Sequence, residues 1–279
     1  MSPDGSVGAL LADATRRLAD GGIDTPRVDA ELLLAHALGV ARSRLVLLDA
    51  VPGLEAARFT AALDRRAARE PLQYITGTAP FRRVQVAVGP GVFVPRPETE
   101  LLVDAVLPAL TGADEPVLVD LCAGSGALAL AIADEVPATA VYAVEGCGDA
   151  LVWLQRNAAD RVHVVAADVR RPLLLELCGR VSAVVSNPPY VPDATVVSAE
   201  VRQDPSAAVF AGADGLRLIP AVIARAAELL RPGGVLALEH DESQADAVPA
   251  LLHASGGWAG VEDHHDLAGR PRYARAVRR

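Results

Sequence analysis

Cysteine, positive net charge and long uncharged apolar runs are all scarce in this 279-residue sequence. Hydrophobic residues make up 51% of it, yet no stretch approaches the roughly 20 consecutive apolar residues of a membrane span. The N-terminal segment contains Asp4 and no basic region, so we predict no signal peptide and no membrane attachment. Three cysteines without a C-x-x-C pair argue against structural zinc and favour reduced thiols in a cytoplasmic protein. We expect two of them, Cys147 and Cys178, to be small buried apolar residues.

The charge balance argues against a nucleic-acid partner. Net charge is −9 and the isoelectric point is about 5.2, whereas nucleic-acid-binding domains usually carry a basic face. Direct nucleic-acid binding is therefore not expected.

Three amphipathic segments predict a small N-terminal helical bundle over residues 1–75. The first stops at Gly21-Gly22, a helix C-terminal signal. Thr25-Pro26 supplies an N-cap and a first-turn proline for the second, which ends at Gly39. The third covers Leu54 to Arg69, with apolar and charged residues on opposite faces.

Residues 76–95 predict a β-hairpin linker, because Val84, Val86 and Val88 alternate as in a half-buried strand. From residue 96 to residue 279, short apolar runs alternate with helical segments. This alternation predicts an α/β domain with a Rossmann-like, doubly wound, mainly parallel sheet. The predicted strands are Val117–Leu121, Val141–Glu145, Val162–Val165, Ser182–Ser186 and Val235–Glu239, and the predicted helices are 127–134, 148–159, a short one near 172–178, and Leu216–Leu230.

A glycine loop follows the first strand of that sheet. Gly124 and Gly126 allow a ligand to approach the backbone closely, and the helix that follows favours negative charge at its N-terminus. The pattern Gly124-x-Gly126-x-x-Ala129 also satisfies the dinucleotide fingerprint, so a dinucleotide is one possible ligand.

Carboxylates near three strand ends favour a mononucleoside ligand such as S-adenosylmethionine instead. Glu145 ends the second strand, where a carboxylate accepts hydrogen bonds from ribose hydroxyls. Asp120 is placed to hold the ammonium group of the ligand, and Asp168 to reach the adenine amino group, although Asp168 can equally be a solvated loop carboxylate. The predicted cofactor-binding residues are Asp120, Cys122, Ala123, Gly124, Ser125, Gly126, Glu145, Asp168, Val169 and Asn187.

Asn187-Pro188-Pro189-Tyr190 follows the fourth predicted strand. Open α/β sheets bind ligands at this edge. Because neither proline has an N–H, the turn offers carbonyl acceptors without competing donors at those two positions. Such a site is suited to holding an –NH2 group with its nitrogen facing an electrophile.

Together, the glycine loop and Asn187-Pro188-Pro189-Tyr190 resemble class I S-adenosylmethionine-dependent methyltransferases. More narrowly, the sequence is similar to the peptide chain release factor N5-glutamine methyltransferases, which methylate the glutamine of the Gly-Gly-Gln motif. The resemblance covers nearly the whole chain. It extends to four further segments, namely Arg69 to Gly77, Pro95-Arg96-Pro97-Glu98-Thr99-Glu100, Asp214-Gly215-Leu216 and Asp266 to Arg272.

The sequence departs from the family pattern at several positions. Cys122 stands where the family usually has glycine, Ala123 replaces a common threonine, and Glu145 stands where aspartate is usual. Asp204-Pro205 replaces a frequent Glu-Pro, and Glu239-His240-Asp241 replaces the usual Glu-Ile-Gly. Because Gly124 and Gly126 are kept, we expect these changes to affect the affinity for the cofactor more than the ability to bind it.

The resemblance implies methyl transfer to a side-chain amide, with release factors as partners and the helical domain as their docking surface. We expect the Asn187 side-chain oxygen and the Pro188 carbonyl each to accept one N–H of the target amide, and the Tyr190 ring to pack against it. Asn187, Pro188 and Tyr190 are thus the predicted catalytic residues, and Pro189 joins them in binding substrate. Arg96 and Glu98 are expected to border the pocket.

Two other functions use the same motif or fold. Asn-Pro-Pro-Tyr also serves adenine-N6 methyltransferases of nucleic acids, and a non-catalytic protein that binds S-adenosylmethionine would keep the fold. The acidic charge argues against the first, and the intact motif argues against the second. Asp263-His264-His265-Asp266 is expected to be a solvated loop and not a metal site, because neighbouring residues rarely ligate one ion.

Overall fold

The strands are β1 Thr78–Phe81, β2 Val84–Ala87, β3 Val117–Leu121, β4 Ala140–Glu145, β5 His163–Ala166, β6 Val181–Ser186, β7 Leu230–Glu239, β8 Trp258–His265 and β9 Pro271–Arg278. Seven of them form one mainly parallel sheet, in the order β5-β4-β3-β6-β7-β9-β8. The computed structural model describes residues 6–279; residues 1–5, where no signal peptide was predicted, lie outside the described residues. The strands from β5 to β7 pair in parallel, whereas β9 runs antiparallel to both β7 and β8. β1 and β2 form a separate hairpin.

The helices follow the capping signals of the sequence. Ser6 accepts a hydrogen bond from the Ala9 N–H at the start of α1, Val7–Asp20. Gly39, in the left-handed conformation, ends α2, Pro26–Leu38. Thr25 precedes α2 but donates its hydroxyl to Asp29 at 2.8 Å instead of accepting from the backbone. The α-helices are α1 Val7–Asp20, α2 Pro26–Leu38, α3 Gly53–Ala67, α4 Leu72–Thr76, α5 Leu101–Thr111, α6 Ala127–Glu135, α7 Gly148–Ala158, α8 Ser206–Val209, α9 Ile219–Leu229 and α10 Ala247–Ser255.

The chain divides into two units. The first, which we call the helical unit, contains residues 6–78 and also Val197–Gln203. The second, the α/β unit, contains Ala79–Val196 and Asp204–Arg279. The boundary after Thr78 falls within β1, so most of the predicted linker hairpin is part of the α/β unit.

Each unit has its own apolar core. In the helical unit, fully buried side chains of α1, α2 and α3 meet, among them Leu18, Leu33 and Phe59. In the α/β unit, both faces of the central parallel strands β3, β4 and β6 are largely covered, and every residue of β6 is buried. Burial on both faces explains why these strands appear in the sequence as continuous apolar runs.

The predicted fold class is confirmed, but three local predictions are wrong. The segment near 172–178 forms only a single 3₁₀ turn at Leu175–Leu177. The predicted loop at 263–266 contributes its first three residues to β8. Cys147 and Cys178 are exposed instead of buried, because Cys147 precedes the first turn of α7 and Cys178 lies in a surface turn.

No helix among residues 6–279 is long and apolar enough to cross a membrane. The same residues contain no group of three or more His, Cys, Asp or Glu side chains placed to hold a metal ion.

Candidate active site

The ends of β3, β4 and β6 lie side by side at the carboxyl edge of the sheet. β3 is central, with Leu121 opposite Val144 of β4 and Ser186 of β6. The chain order reverses here, since β3 has β4 on one side and β6 on the other. Such a switch point opens a crevice above the sheet. It brings the glycine loop, Glu145 and the Asn-Pro-Pro-Tyr turn to one place.

The glycine loop turns sharply between β3 and α6. Gly124 and Gly126 both have positive φ, at 56° and 83°, a conformation that other residues adopt only with strain. A Cβ atom on Gly126 would lie 2.6 Å from the Cδ1 atom of Leu154, whereas one on Gly124 would meet no atom within 4 Å. A side chain at Gly126 would therefore displace Leu154, whereas Gly124 leaves open space beside the loop.

Cys122 is the first residue of this loop and also has a positive φ, of 64°. The family usually has glycine here, and the left-handed backbone explains why, since a side chain costs about 1 kcal/mol in this conformation. Burial, together with the Glu145 and Asp120 charges, raises the pKa of the Cys122 thiol far above its usual range. Cys122 is thus a neutral thiol of low reactivity.

Glu145 closes the loop from the neighbouring strand. One carboxylate oxygen accepts the Gly124 N–H at 2.8 Å, and the other accepts the Cys147 N–H at 2.7 Å. These two bonds hold the carboxylate in one orientation and leave each oxygen a further lone pair for a hydroxyl donor.

The other two predicted carboxylates differ in exposure. Asp120 is fully buried, and burial raises the pKa of its carboxyl well above the usual range, an effect that the Ala129 backbone N–H opposes. Asp168 is partly exposed and forms an ion pair with Arg170. Hydrogen bonds from Arg170 lower the pKa of Asp168 to about 2.

A cavity of about 600 Å³ lies above these strand ends, within the range of small-molecule sites. Asp120, Gly126, Pro188 and Tyr190 do not line it. Nine of the predicted site residues do line it, namely Cys122, Ala123, Gly124, Ser125, Glu145, Asp168, Val169, Asn187 and Pro189.

This cavity fits a nucleoside-containing cofactor. Gly124 leaves open space where a side chain would otherwise stand, and Glu145 offers fixed carboxylate oxygens at the adjacent strand end. The carboxylate of Asp120, by contrast, is fully buried. It therefore cannot contact the ammonium group of a ligand in this conformation.

Asn187 and Tyr190 are held by different parts of the α/β unit. The Asn187 side-chain N–H donates to the Thr99 hydroxyl at 2.9 Å. The Tyr190 hydroxyl donates to Glu239, at the end of β7, at 2.8 Å. Burial, together with the charge of Glu239, raises the pKa of the Tyr190 hydroxyl well above its usual range, so Tyr190 stays a neutral donor.

The backbone of Tyr190 is fixed by two residues whose role the sequence did not reveal. Gln244 donates its side-chain amide to the carbonyl oxygens of Tyr190 and Asp214, at 2.9 and 2.8 Å. Gly215, with φ of 72°, lies so near that a Cβ atom on it would be 2.0 Å from the backbone carbonyl oxygen of Tyr190. The resemblance singled out Asp214-Gly215-Leu216; this close approach supplies a physical reason for its glycine.

The sequence predicts that Arg96 and Glu98 border the pocket, but neither of them lines the cavity. Arg96 forms an ion pair with the buried carboxylate of Asp204, and its guanidinium lies 5.0 Å from the ring centre of Phe93. Asp204 also accepts the Val94 N–H at 3.3 Å. Arg96 therefore braces the segment that lines the cavity, while Glu98 is exposed.

Sequence reasoning also missed part of the apolar wall of the cavity. Phe81 of β1 and Phe93 line it together with Ala207 and Ala208 of α8. The only signal for Phe93 was its place just before the Pro95 to Glu100 segment.

Two family models and several known proteins match this chain over most of its length. A family model described as PrmC N-terminal domain matches residues 9–77, and one described as methyltransferase small domain matches residues 84–204. The release factor glutamine methyltransferase of Streptomyces coelicolor is 48% identical over 275 residues, covering 96% of each chain. That of Mycolicibacterium smegmatis is 48% identical over 269 residues, covering 95% of each.

A solved structure supports the fold of the α/β unit. The T. thermophilus 16S rRNA N2 G1207 methyltransferase, in complex with AdoMet and guanosine, matches with a TM-score of 0.51 and 24% identity. The match covers 72% of this chain and 50% of that one, and at this identity it bears on the fold alone. The two bacterial enzymes, in contrast, match nearly the whole chain at 48% identity, and the chain therefore belongs to the release factor glutamine methyltransferases.

Proposed function

We propose that this protein transfers a methyl group from S-adenosylmethionine to the side-chain amide nitrogen (N5) of the glutamine in the Gly-Gly-Gln motif of peptide chain release factors, and so modulates translation termination. The observation that carries the proposal is the arrangement of Asn187. It lines the cavity beside the glycine loop, and its side-chain NH2 group donates one hydrogen bond to the Thr99 hydroxyl. Its side-chain oxygen is then available to accept an amide N–H from a substrate.

The chemistry requires positioning more than acid–base catalysis. When bound, S-adenosylmethionine supplies a methyl group already activated by its sulfonium. An amide nitrogen is a poor nucleophile because its lone pair is delocalised, so the protein must hold it in line with that methyl group. We assign this to the Asn187 side-chain oxygen and the Pro188 carbonyl, which each accept one N–H of the glutamine and favour positive charge developing on the nitrogen.

The remaining predicted residues hold the cofactor and the turn. Glu145 would accept the ribose hydroxyls, and Ala123, Gly124 and Ser125 would lie against the cofactor as the wall of the cavity. Asp168 and Val169 line the part of the cavity next to Glu145 in our assignment, with Asp168 near the adenine. Tyr190 keeps the turn in place through Glu239.

We further propose that the release factor docks on the helical unit. Two neighbouring side chains in the 3₁₀ turn after α2 are strongly exposed, Val46 at 86% and Leu47 at 74%, and such apolar exposure is typical of a contact surface. A V46S/L47S variant should raise KM for the factor and leave kcat unchanged. Leu175→Ser, at a position of the α/β unit that is 68% exposed, serves as the control.

The state of the cysteine thiols bears on where in the cell the protein acts. All three cysteines are free, and we propose that the protein acts in the cytoplasm, where thiols stay reduced.

The test of the main proposal is methyl transfer from labelled S-adenosylmethionine. Purified release factor, a factor with Gly-Gly-Ala in place of Gly-Gly-Gln, and adenine-containing DNA are compared in parallel. Label on the wild-type factor alone is the expected result. Label on DNA would overturn it in favour of an adenine methyltransferase, and binding of the cofactor without any transfer would favour a non-catalytic protein.

A further inference from the structure

One face of α7 holds the segment that follows β2. Asp149, Trp153 and Asn157 are spaced by four residues and therefore lie on the same face of this helix. A Cβ atom on Gly89 would lie 2.6 Å from the ring of Trp153, and one on Gly91 would lie 3.2 Å from the Cβ atom of Asp149. The backbone after β2 thus runs against the helix at a distance that only glycine allows at these two positions.

Asn157 ends this face of α7 with three hydrogen bonds. Its side-chain oxygen accepts the Ala87 N–H at 2.8 Å, and its NH2 group donates to the Ala87 carbonyl at 2.9 Å. The same NH2 group donates to the Ser125 carbonyl, in the glycine loop, at 3.0 Å. Because a backbone N–H only donates and a carbonyl only accepts, these partners fix which end of the amide is the oxygen.

Both partners of Asn157 are connected to the wall of the cavity. Ser125 lines the cavity and is only 3% exposed. Ala87 ends β2, and it is followed closely by residues 91–95, which we call the wall segment. Four residues of the wall segment line the same cavity, namely Gly91, Val92, Phe93 and Pro95. Asn157 therefore joins the loop that we assign to the cofactor to the strand end that leads into the wall segment.

We propose that Asn157 is a positioning residue for methyl transfer, which sets the separation between the glycine loop and the wall segment. The inference rests on the proposed function, because it takes the glycine loop as the cofactor side of the cavity. Methyl transfer depends steeply on the distance between donor and acceptor, and a misplacement of about 1 Å lowers the rate by about 100-fold. Without the Asn157 amide, the carbonyls of Ser125 and Ala87 lose a donor and the two walls lose their direct connection.

The first test compares Asn157→Ala with a control that breaks bonds of the same kind elsewhere in the α/β unit. Asn157→Ala should raise the Kd for S-adenosylmethionine, measured by calorimetry, about fivefold, because the glycine loop loses one hydrogen bond. It should also lower kcat for transfer to purified release factor about 10- to 100-fold, because the cofactor and the acceptor are no longer aligned.

The control is Arg278→Met. Arg278 also joins two segments by donating to backbone carbonyls, those of Ala227 and Gly257, at 3.0 and 2.7 Å, and neither of these residues lines the cavity. Arg278→Met should lower the midpoint of thermal unfolding as Asn157→Ala does, but its Kd and kcat should stay within about twofold of wild type. Asn157→Asp keeps the shape of the side chain but loses both donors, so it should behave as Asn157→Ala does.

A second readout needs neither activity nor a variant of Asn157. The sequence has two asparagines, Asn157 and Asn187, so selective ¹⁵N-asparagine labelling yields two side-chain NH2 signals, and Asn187→Ala leaves that of Asn157. Both N–H groups of Asn157 should exchange slowly with solvent in the cofactor-free protein, because the NH2 group donates to two carbonyls. The signal should shift when S-adenosylhomocysteine is added, because Ser125 lines the cavity.

The two readouts separate the possible failures. If Asn157→Ala weakens cofactor binding but the wild-type protein does not methylate release factor, the proposed function is rejected and Asn157 keeps its role in holding the glycine loop. Equal changes of Kd and kcat in Asn157→Ala and Arg278→Met would overturn the positioning role. So would wild-type kinetics in Asn157→Asp, which would show that only the volume of the side chain matters, or an Asn157 signal that is insensitive to S-adenosylhomocysteine.

Discussion

Buried charge is accommodated differently in the helical unit and at two carboxyls of the α/β unit. In the helical unit, Arg66 is only 9% exposed and is paired on two sides, with Asp29 at 2.7 Å and Glu200 at 3.0 Å. In the α/β unit, Asp120 and Glu239 are equally buried, and neither forms an ion pair within the part of the chain that the structure describes. Paired charges keep their ionisation over a wide pH range, whereas unpaired buried carboxyls titrate nearer neutrality.

The pKa shifts follow this division. Burial would raise the pKa of Glu200, but hydrogen bonds from Arg69 and Arg66 outweigh burial and lower it to about 2. For Glu239, burial prevails and raises the pKa to about 7. Electrostatic pairing thus keeps Glu200 ionised in the unit that we assign to docking, whereas the unit that we assign to chemistry keeps one carboxyl, that of Glu239, whose protonation can change near neutral pH.

The largest expected effect is a loss of turnover in the α/β unit without a matching loss of cofactor affinity. Asn187→Ala removes the proposed acceptor and should lower kcat by about 10²–10³-fold, because the glutamine nitrogen loses its alignment. Affinity for S-adenosylmethionine, measured by calorimetry, should change little. Equal losses of turnover and cofactor affinity would count against the role of Asn187.

Arg66→Met should have the opposite profile in the helical unit. It leaves the buried Asp29 without its partner, which costs about 3 kcal/mol, and urea unfolding measures the loss. Arg65→Met is the matched control: Arg65 is 49% exposed and pairs with Glu70 on the surface, so its loss should cost less than about 1 kcal/mol. Equal losses in the two variants would show that the buried pairing of Arg66 adds nothing.

Alanine variants of two glycines in one loop distinguish the effect of a steric clash from the effect of backbone strain. Gly215→Ala places a Cβ atom 2.0 Å from the backbone carbonyl oxygen of Tyr190. It should destabilise the protein by about 2–3 kcal/mol and lower the rate of methyl transfer. Gly212→Ala has a similar positive φ, but its nearest neighbour is 3.8 Å away, so only about 1–2 kcal/mol of strain is expected. Thermal unfolding and transfer rates of the two variants check this, and similar losses would mean that the contact with Tyr190 is unimportant.

The pH dependence of the two units should differ in sign. Because the folded pKa of Glu200 is below the ordinary value of 4.5, its stabilisation is complete above pH 4.5 and is lost as pH falls through about 2. The folded pKa of Glu239 is raised, so its contribution becomes less favourable as pH rises from 4.5 through about 7.

Hydrogen exchange of amides in α3 and β7, compared between wild type and the Glu200→Gln and Glu239→Gln variants, measures both slopes. Glu200→Gln should reduce the acid sensitivity of α3 and leave β7 unchanged. The reverse pattern would contradict the comparison of the two units.

The smallest expected effect concerns the loop residue Cys122. Cys122→Gly should be more stable than Cys122→Ala by about 1 kcal/mol, because both lose the thiol but only glycine is relaxed at a φ of 64°. The midpoint of thermal unfolding distinguishes them. Equal stability would mean that the left-handed backbone at Cys122 is not strained.

Much of the fold could be predicted because its signals are local. β3 agrees with its predicted bounds at both ends, and β4 and β6 are each one residue longer at the start, since strands buried on both faces are continuous apolar runs. β8 lacked this signal. It is an edge strand in which most residues are at least partly exposed, so its charged residues resemble a loop.

The candidate site was predictable only where one segment carries the chemistry. The glycine loop and the Asn-Pro-Pro-Tyr turn are recognisable from consecutive residues. Thr99 and Asn187, however, are 88 positions apart, and Tyr190 and Glu239 are 49 apart. No local sequence pattern predicts contacts between residues so far apart. The exposure of Cys147 and Cys178 could not be predicted from the sequence either.

The sequence by itself determined the α/β class, the helical N-terminal region, the family and the two segments expected to hold cofactor and glutamine. These depend on periodicity, backbone preferences and short motifs, which act between near neighbours. Only the tertiary structure decided which lone pairs face the cavity, which carboxyls are paired, and why Gly215 must lack a side chain. Those properties depend on distances between segments remote in the chain, which exist only once the sheet has formed.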